Sequence, residues 1–182
     1  SNYGAAPLRC RSQPGPLGTM RIITLNVNGI RAAARKGLFQ WLPKADADFV
    51  CLQEVRAGLE QIEDPMYWPS GYECHYVPAQ KAGYSGVAVY SRRKSDMTLT
   101  EIGLPAFDAE ARYVEMQIEN LSVISLYLPS GTSGEVRQTF KYEVMDFFDD
   151  VFERMVANGR DVVVCGDWNI AHKEIDLKNW RG

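Results

Sequence analysis

Four apolar runs in this sequence each end abruptly in a polar residue that a plain core strand does not need. Ile22-Ile23-Thr24-Leu25 runs into Asn26, Val50-Cys51-Leu52-Gln53 into Glu54, Val123-Ile124-Ser125-Leu126 into Tyr127, and Val162-Val163-Val164-Cys165-Gly166 into Asp167, with Asn169 two residues further on. Glu54 and Asp167 offer hard anionic oxygens of the kind magnesium prefers, Asn26 and Asn169 offer neutral amides, and the Tyr127 phenol can donate to a phosphate oxygen. Magnesium keeps waters and substrate phosphate in its shell, so two carboxylates suffice for a phosphoryl-transfer centre. The chemistry implied is hydrolysis of a phosphate ester. Taken alone, a carboxylate at a strand end is ordinarily solvated, Asn-x-Asn-Gly is ordinary turn chemistry, and a strand tyrosine packs. The set of five carries the inference, provided the strand ends gather at one rim, where ligands of open α/β sheets sit.

Strands and helices must bring that set together. Short runs rich in β-branched and aromatic residues predict strands at 21–26, 49–54, 72–77, 87–91, 97–102, 113–118, 121–127 and 161–167. Glu119-Asn120 between two of them predicts an antiparallel hairpin, so the sheet is mixed, and eight strands require at least one large sheet. A helix is expected over 30–42 after Asn28-Gly29. A second opens at a capping-box pattern, Thr132-Ser133-Gly134-Glu135, and presents Val136, Phe140, Val144, Phe147, Val151 and Met155 on one face before ending at Asn158-Gly159. His75 falls inside a strand and His172 after the Asp167 loop; neither is assigned a catalytic role.

With 182 residues and 46% hydrophobic content, the chain suits about one packed domain, residues 20–182. Residues 1–19 are rich in Gly and Pro, lack apolar periodicity and are expected to be disordered. They resemble an extension ahead of Met20, whether artificial, read-through or the remnant of a transit peptide. No apolar run is long enough to span a bilayer and no signal-peptide core opens the sequence, so a cytoplasmic protein is expected, or an organellar one if a transit peptide precedes it. Cys10, Cys51, Cys74 and Cys165 lack a Cys-x-x-Cys spacing and suit reduced residues. The net charge of −3 becomes −5 once Arg9 and Arg11 are set aside with the acid-free leader, so a general polyanion-binding surface is not indicated. A nucleic-acid partner would need a local basic patch.

The strings that hold these residues resemble the exonuclease III and abasic-site endonuclease family. They are Leu-Asn-Val-Asn-Gly-Ile-Arg (25–31), Cys-Leu-Gln-Glu-Val-Arg (51–56), Gly-Tyr-Ser-Gly-Val-Ala (83–88), Tyr-Leu-Pro-Ser-Gly (127–131) and Gly-Asp-Trp-Asn-Ile-Ala-His (166–172), in family order. Leu-Gln-Glu and Gly-Asp-x-Asn alone would mark the wider endonuclease/exonuclease/phosphatase superfamily. The Gly-Tyr-Ser-Gly stretch and His-Lys-Glu-Ile-Asp-Leu (172–177) are similar to its DNA-repair branch. The resemblance implies a four-layer α/β sandwich of two mixed sheets flanked by helices. It implies Glu54 as the metal-binding glutamate and Asn26 as the residue supporting the metal and phosphate region. Asp167 is implied as orienting or deprotonating the attacking water, Asn169 as its partner, and Tyr127 as contacting the scissile phosphate. The implied cofactor is Mg²⁺, with Mn²⁺ as a substitute, and the implied partner is double-stranded DNA with abasic or 3′-blocked sites, bound by a monomer without a membrane. For DNA contact the candidates are Arg31, Arg35 and Lys36 around the first helix and Lys81, Tyr84 and Arg112 near the motif loops.

The family places a further aspartate strand and an Asp-His pair beyond the point reached at Gly182. The expectation is therefore that C-terminal strands of the sandwich are missing and that these 182 residues alone cleave poorly or not at all, while the complete protein is an active nuclease. Two other readings are a superfamily phosphodiesterase or phosphatase acting on RNA or a phosphorylated small molecule, and a non-catalytic DNA-binding remnant.

Overall fold

A computed structural model describes residues 20–128 and 135–168. Its strands are β1 (Ile22–Asn26), β2 (Phe49–Gln53), β3 (Glu73–Val77), β4 (Val87–Ser91), β5 (Met97–Leu99), β6 (Tyr113–Ile118), β7 (Leu121–Tyr127) and β8 (Asp161–Asp167). Its helices are α1 (Ile30–Arg35), α2 (Leu38–Ala45), α3 (Pro105–Asp108) and α4 (Glu135–Ala157). Among the described residues the strands form two four-stranded sheets rather than one large one, in the orders β1-β2-β4-β3 and β5-β6-β7-β8. Each sheet is mixed: β1 runs parallel to β2 and β8 parallel to β7, while the remaining neighbours are antiparallel, including the β6–β7 hairpin.

Period-two alternation sorts the side chains into three cores between four layers. Ile30, Ala34 and Leu42 of α1 and α2 pack on Val50, Leu52, Ala88 and Tyr90, on the outer face of the first sheet. Phe49, Cys51, Val87 and Val89 meet Val114, Met116, Ile118 and Val123 between the sheets. Val144 and Phe148 of α4 cover Tyr113, Ile124 and Leu126 on the outer face of the second. The result is the helix–sheet–sheet–helix sandwich that the resemblance implied. Cys51 and Cys165, far apart in sequence, meet in the middle core as free thiols. The hydrogen bond between them and then burial push the Cys51 thiol up.

Two helix expectations change. The single helix over 30–42 is broken at Gly37, whose φ of 96° is left-handed, and α2 continues through Pro43 to Ala45. The apolar face of α4 is rotated from the expected stripe: Phe148 is buried where Phe147 was expected, and Lys141 is buried beside Val144. Residues 132–134 of the expected capping box lie outside the described residues.

Candidate active site

The carboxyl ends of β1, β2, β7 and β8 converge. The Asn26 side chain at the end of β1 donates through Nδ2 to Glu54 Oε1 at 3.0 Å and to Asp167 Oδ2 at 2.8 Å. One amide thus bridges carboxylates from the two different sheets, and Glu54 and Asp167 lie on the same rim. Asn26 Oδ1 accepts the Asn28 N–H at 3.0 Å, which fixes the amide with its nitrogen toward the carboxylate pair. Tyr127 is the register partner of Asp167 in the parallel β7–β8 ladder, and Leu128 N–H donates to the Asp167 carbonyl at 2.9 Å. Asn169 lies outside the described residues.

Local backbone chemistry sets Glu54. It follows the last β2 residue with a φ of 53°, a left-handed conformation that costs a non-glycine residue of order 1 kcal/mol and persists where surroundings over-determine it. Those surroundings are visible. The Glu54 carbonyl accepts Gly29 N–H at 2.8 Å, and the following amides, Val55 and Arg56, donate to Gly86 and Ser85 carbonyls at 3.0 and 2.8 Å. The Gly83–Gly86 loop therefore grips the backbone that carries Glu54. Gly86 has φ 87°, and a Cβ there would sit 3.3 Å from the Val55 side chain. The Glu54 residue is 9% exposed, and its Oε2 pairs with the Arg56 guanidinium at 2.6 Å.

Gly166 performs the matching service for Asp167. A Cβ at this position would lie 2.3 Å from the Leu126 carbonyl oxygen, so only glycine lets β8 lie this close to β7. Gln53, a residue sequence reasoning left as plain strand, ties the sheets beneath the rim. Its Nε2 donates to Ser125 Oγ at 3.0 Å and to Thr24 Oγ1 at 3.2 Å, and Ser125 donates to the Leu52 carbonyl at 2.9 Å. A buried polar network of this kind fixes one relative position of two layers that apolar contacts alone would let slide.

Arg112, expected to meet DNA, is 2% exposed. Its guanidinium bonds Glu110, donates to the Tyr127 carbonyl at 3.2 Å and to the Tyr84 hydroxyl at 2.9 Å. It also lies 4.8 Å from the Tyr127 ring centroid and 5.6 Å from that of Tyr84. Arg112 therefore holds the two tyrosines in place, and Tyr84 is half-buried as a result. Lys81 is exposed, with its ammonium 5.4 Å from the Tyr84 ring, beside a shallow cavity of about 290 Å³ between the 57–60 and 78–84 loops. Arg31, Arg35 and Lys36 are exposed along α1. That helix has only six residues, so the amide-dipole attraction for phosphate expected of a longer first helix is weak.

Among the described residues no group of three His, Cys, Asp or Glu side chains gathers. The donor set at the rim is two carboxylates bridged by an amide, all oxygen on the acceptor side, which fits a hard divalent cation that completes its shell with water and phosphate. Arg56, Gln53 and Lys141 are the residues that sequence reasoning missed here. The signal for Arg56 was its place in the same string as Glu54; Lys141 is a charged residue at helical spacing within an apolar stripe.

Comparisons with known proteins identify the family and the fold. The model of the Endonuclease/Exonuclease/phosphatase family matches residues 23–182. The chain is 34% identical over 165 residues to an exodeoxyribonuclease of Bacillus subtilis, covering 88% of this chain and 62% of that protein. It is 32% identical over 162 residues to a DNA-(apurinic or apyrimidinic site) endonuclease of Dictyostelium discoideum, covering 88% of this chain and 44% of that protein. Among solved structures, the catalytic domain of Xenopus laevis APE2 superposes with a TM-score of 0.74 at 26% identity, over 85% of this chain and 60% of that one. An AP endonuclease from Archaeoglobus fulgidus gives 0.72 at 25% identity, over 88% and 61%. The chain thus spans less than two thirds of the length of these relatives. With its family model matched over residues 23–182, the chain belongs to the endonuclease/exonuclease/phosphatase family.

Proposed function

We propose that the complete protein is a divalent-metal-dependent DNA phosphodiesterase that cuts the strand 5′ to abasic sites and also removes 3′-terminal nucleotides. The observation that carries this reading is the Asn26 amide shared by Glu54 and Asp167. Two carboxylates held within reach of one donor suit a cation ligand and a general base working side by side. In this reading Glu54 binds the cation, Mg²⁺ or Mn²⁺, while Asn26 keeps both carboxylates oriented. A bound divalent cation supplies neutralisation of the charge that builds on the phosphate and the leaving 3′-oxygen. Asp167 orients a water for in-line attack and accepts its proton; the new P–O bond forms as the P–O3′ bond breaks, and the departing 3′-oxygen takes a proton from solvent, leaving a 3′-hydroxyl and a 5′-phosphate. Tyr127, held by Arg112, faces the phosphate, with Asn169 as partner of Asp167. Arg31, Lys36 and Tyr84 contact the flanking DNA, which positions the duplex without reading its sequence.

Support also comes from relatives named for exodeoxyribonuclease and abasic-site endonuclease activity. Because those relatives are longer, the activity is proposed for the complete protein, and the 182 residues expressed alone are expected to turn over little or nothing. The experiment is incision of a duplex carrying one abasic-site analogue by the complete protein, with Mg²⁺ and with chelator. Parallel assays use an undamaged duplex, RNA and inositol phosphates. Metal-dependent incision at the abasic site, leaving a 3′-hydroxyl, is expected, with the undamaged duplex only trimmed from its 3′ ends. Binding without cleavage, or turnover only of RNA or inositol phosphates, overturns the proposal.

A further inference from the structure

Lysine on the core face of a helix is rare, because its ammonium loses water without an apolar gain. Lys141 is such a residue: it is 5% exposed and shares the inward stripe of α4 with Val144 and Phe148, three and seven positions further on. The geometry of the helix–strand unit explains what it faces. Sixteen helical steps separate Lys141 from the C-terminal Ala157, about 24 Å at the helical rise. The chain then reverses at Gly159, and the six steps of β8 from Asp161 to Asp167 return about 20 Å along the sheet. Lys141 therefore stands level with the end of β8 and not beneath its middle, where Val162 and Val164 meet the apolar part of α4.

We propose that Lys141 is a positioning residue for the active centre: its ammonium, set into the core face of α4 at the level of Asp167, is a fixed counter-charge that holds the Asp167 carboxylate in place against the scissile phosphate. The inference rests on the phosphodiesterase reading above. Asp167 shares the Asn26 amide with the Glu54 carboxylate, so two negative charges meet a third on the phosphate. The Arg56 guanidinium compensates Glu54 from one side; Lys141 compensates Asp167 from the other. The two influences on Lys141 itself agree with this placement. Burial pulls its ammonium below the ordinary lysine range, and the attraction of Asp167 draws it back up. A cation supplied from the protein interior stays in place when DNA binds, whereas an exposed lysine would be displaced or screened.

The test uses the complete protein with Lys141→Met and Lys141→Arg in two measurements. In incision of abasic duplex, K141M is expected to lower kcat at least about tenfold with KM changed less than about threefold, and K141R to recover most of the loss. A loss seen only in KM, a K141M enzyme within about threefold of wild type, or a K141R enzyme no better than K141M overturns the proposal. The second measurement is a thermal-unfolding cycle of wild type, K141M, D167N and the double variant, which needs no activity. Non-additive Tm shifts are expected, and additive shifts overturn the coupling. If the wild-type protein does not cleave abasic DNA, the proposed function falls by itself, and the Tm cycle alone decides whether Lys141 and Asp167 act together.

Discussion

Two carboxylate clusters lie in the same pair of sheets and could hardly be used more differently. Glu115, in the middle of β6, is wholly buried, and among the described residues its carboxylate accepts from neutral donors: the Tyr113 hydroxyl, Gln117 Nε2 at 2.6 Å and Ser122 Oγ at 2.9 Å. Ser122 is in turn held by Arg160 Nε at 2.9 Å, so the charge is balanced at one remove. Burial first, and then the adjacent Glu115 charge, push the Tyr113 phenol far up. At the rim, Glu54 and Asp167 share a single amide, Glu54 sits on strained backbone, and β1 and β8, which hold Asn26 and Asp167, are edge strands among the described residues and only partly buried. A structural carboxylate is closed off by donors on rigid interior strands. At the proposed site the carboxylates take their orientation from strain, from a shared donor and from the neighbouring Arg56 cation.

That contrast can be broken experimentally, and the largest effect is expected at the rim. Replacing Asp167 by Asn or Glu54 by Gln in the complete protein should lower kcat on abasic duplex by about 10² to 10⁴-fold, with a Tm loss smaller than that of a core carboxylate. Steady-state kinetics beside a melting curve checks both. Glu115→Ala should do the opposite: it strands the Tyr113, Gln117 and Ser122 donors, so urea unfolding should show a loss of about 3 kcal/mol, with activity per folded molecule retained. A large activity loss at full stability would move Glu115 into the site and erase the distinction.

Gly166→Ala lies between the two. The added methyl must displace the Leu126 carbonyl that it would otherwise approach at 2.3 Å, so a loss of about 2 kcal/mol is expected together with reduced kcat, because Asp167 is the next residue. Unchanged kcat would show that the β7–β8 spacing does not aim Asp167. The smallest effect belongs to Glu73 on edge strand β3. Burial tends to raise its carboxyl, but Ser95 N–H at 2.6 Å, the Ser95 hydroxyl at 3.0 Å and His75 together draw it below the usual range. A depressed folded-state value stabilises above the unfolded value near 4.5 and is lost as pH falls through the folded one. Glu73→Gln should therefore cost under about 1 kcal/mol at neutral pH, with the gap to wild type closing below about pH 4.5 in acid-unfolding curves.

Much of this could be read from the residues, and the failures have physical causes. Each strand that carries a site residue begins and ends within a residue or so of the expected place, because β-branched runs with abrupt polar ends leave little choice of register. The pairing of Glu54 with Asp167 depended on strand direction and on two sheets facing each other, which no local pattern encodes; the amide of Asn26 closes that gap across 141 positions. The helix expected over 30–42 is two helices because the chain turns left-handed at Gly37, a local break that apolar spacing does not register. Lys141 was passed over because a hydropathy pattern discards charge, so the stripe of α4 was centred on Phe147 instead of Phe148. Arg112 carried the same charge as the basic residues of α1, and only packing between Tyr84 and Tyr127 reveals that it is interior.

All of this depends on Glu54 and Asp167 acting as one unit, and a kinetic cycle measures that directly. Single-turnover incision of abasic duplex at saturating Mg²⁺ would be followed for the complete wild-type protein, E54Q, D167N and the double variant. Residues of one catalytic unit are strongly non-additive, so the double variant should be slower than the worse single variant by no more than about threefold. Losses that multiply would mean that the two carboxylates work independently, and the shared centre would have to be abandoned.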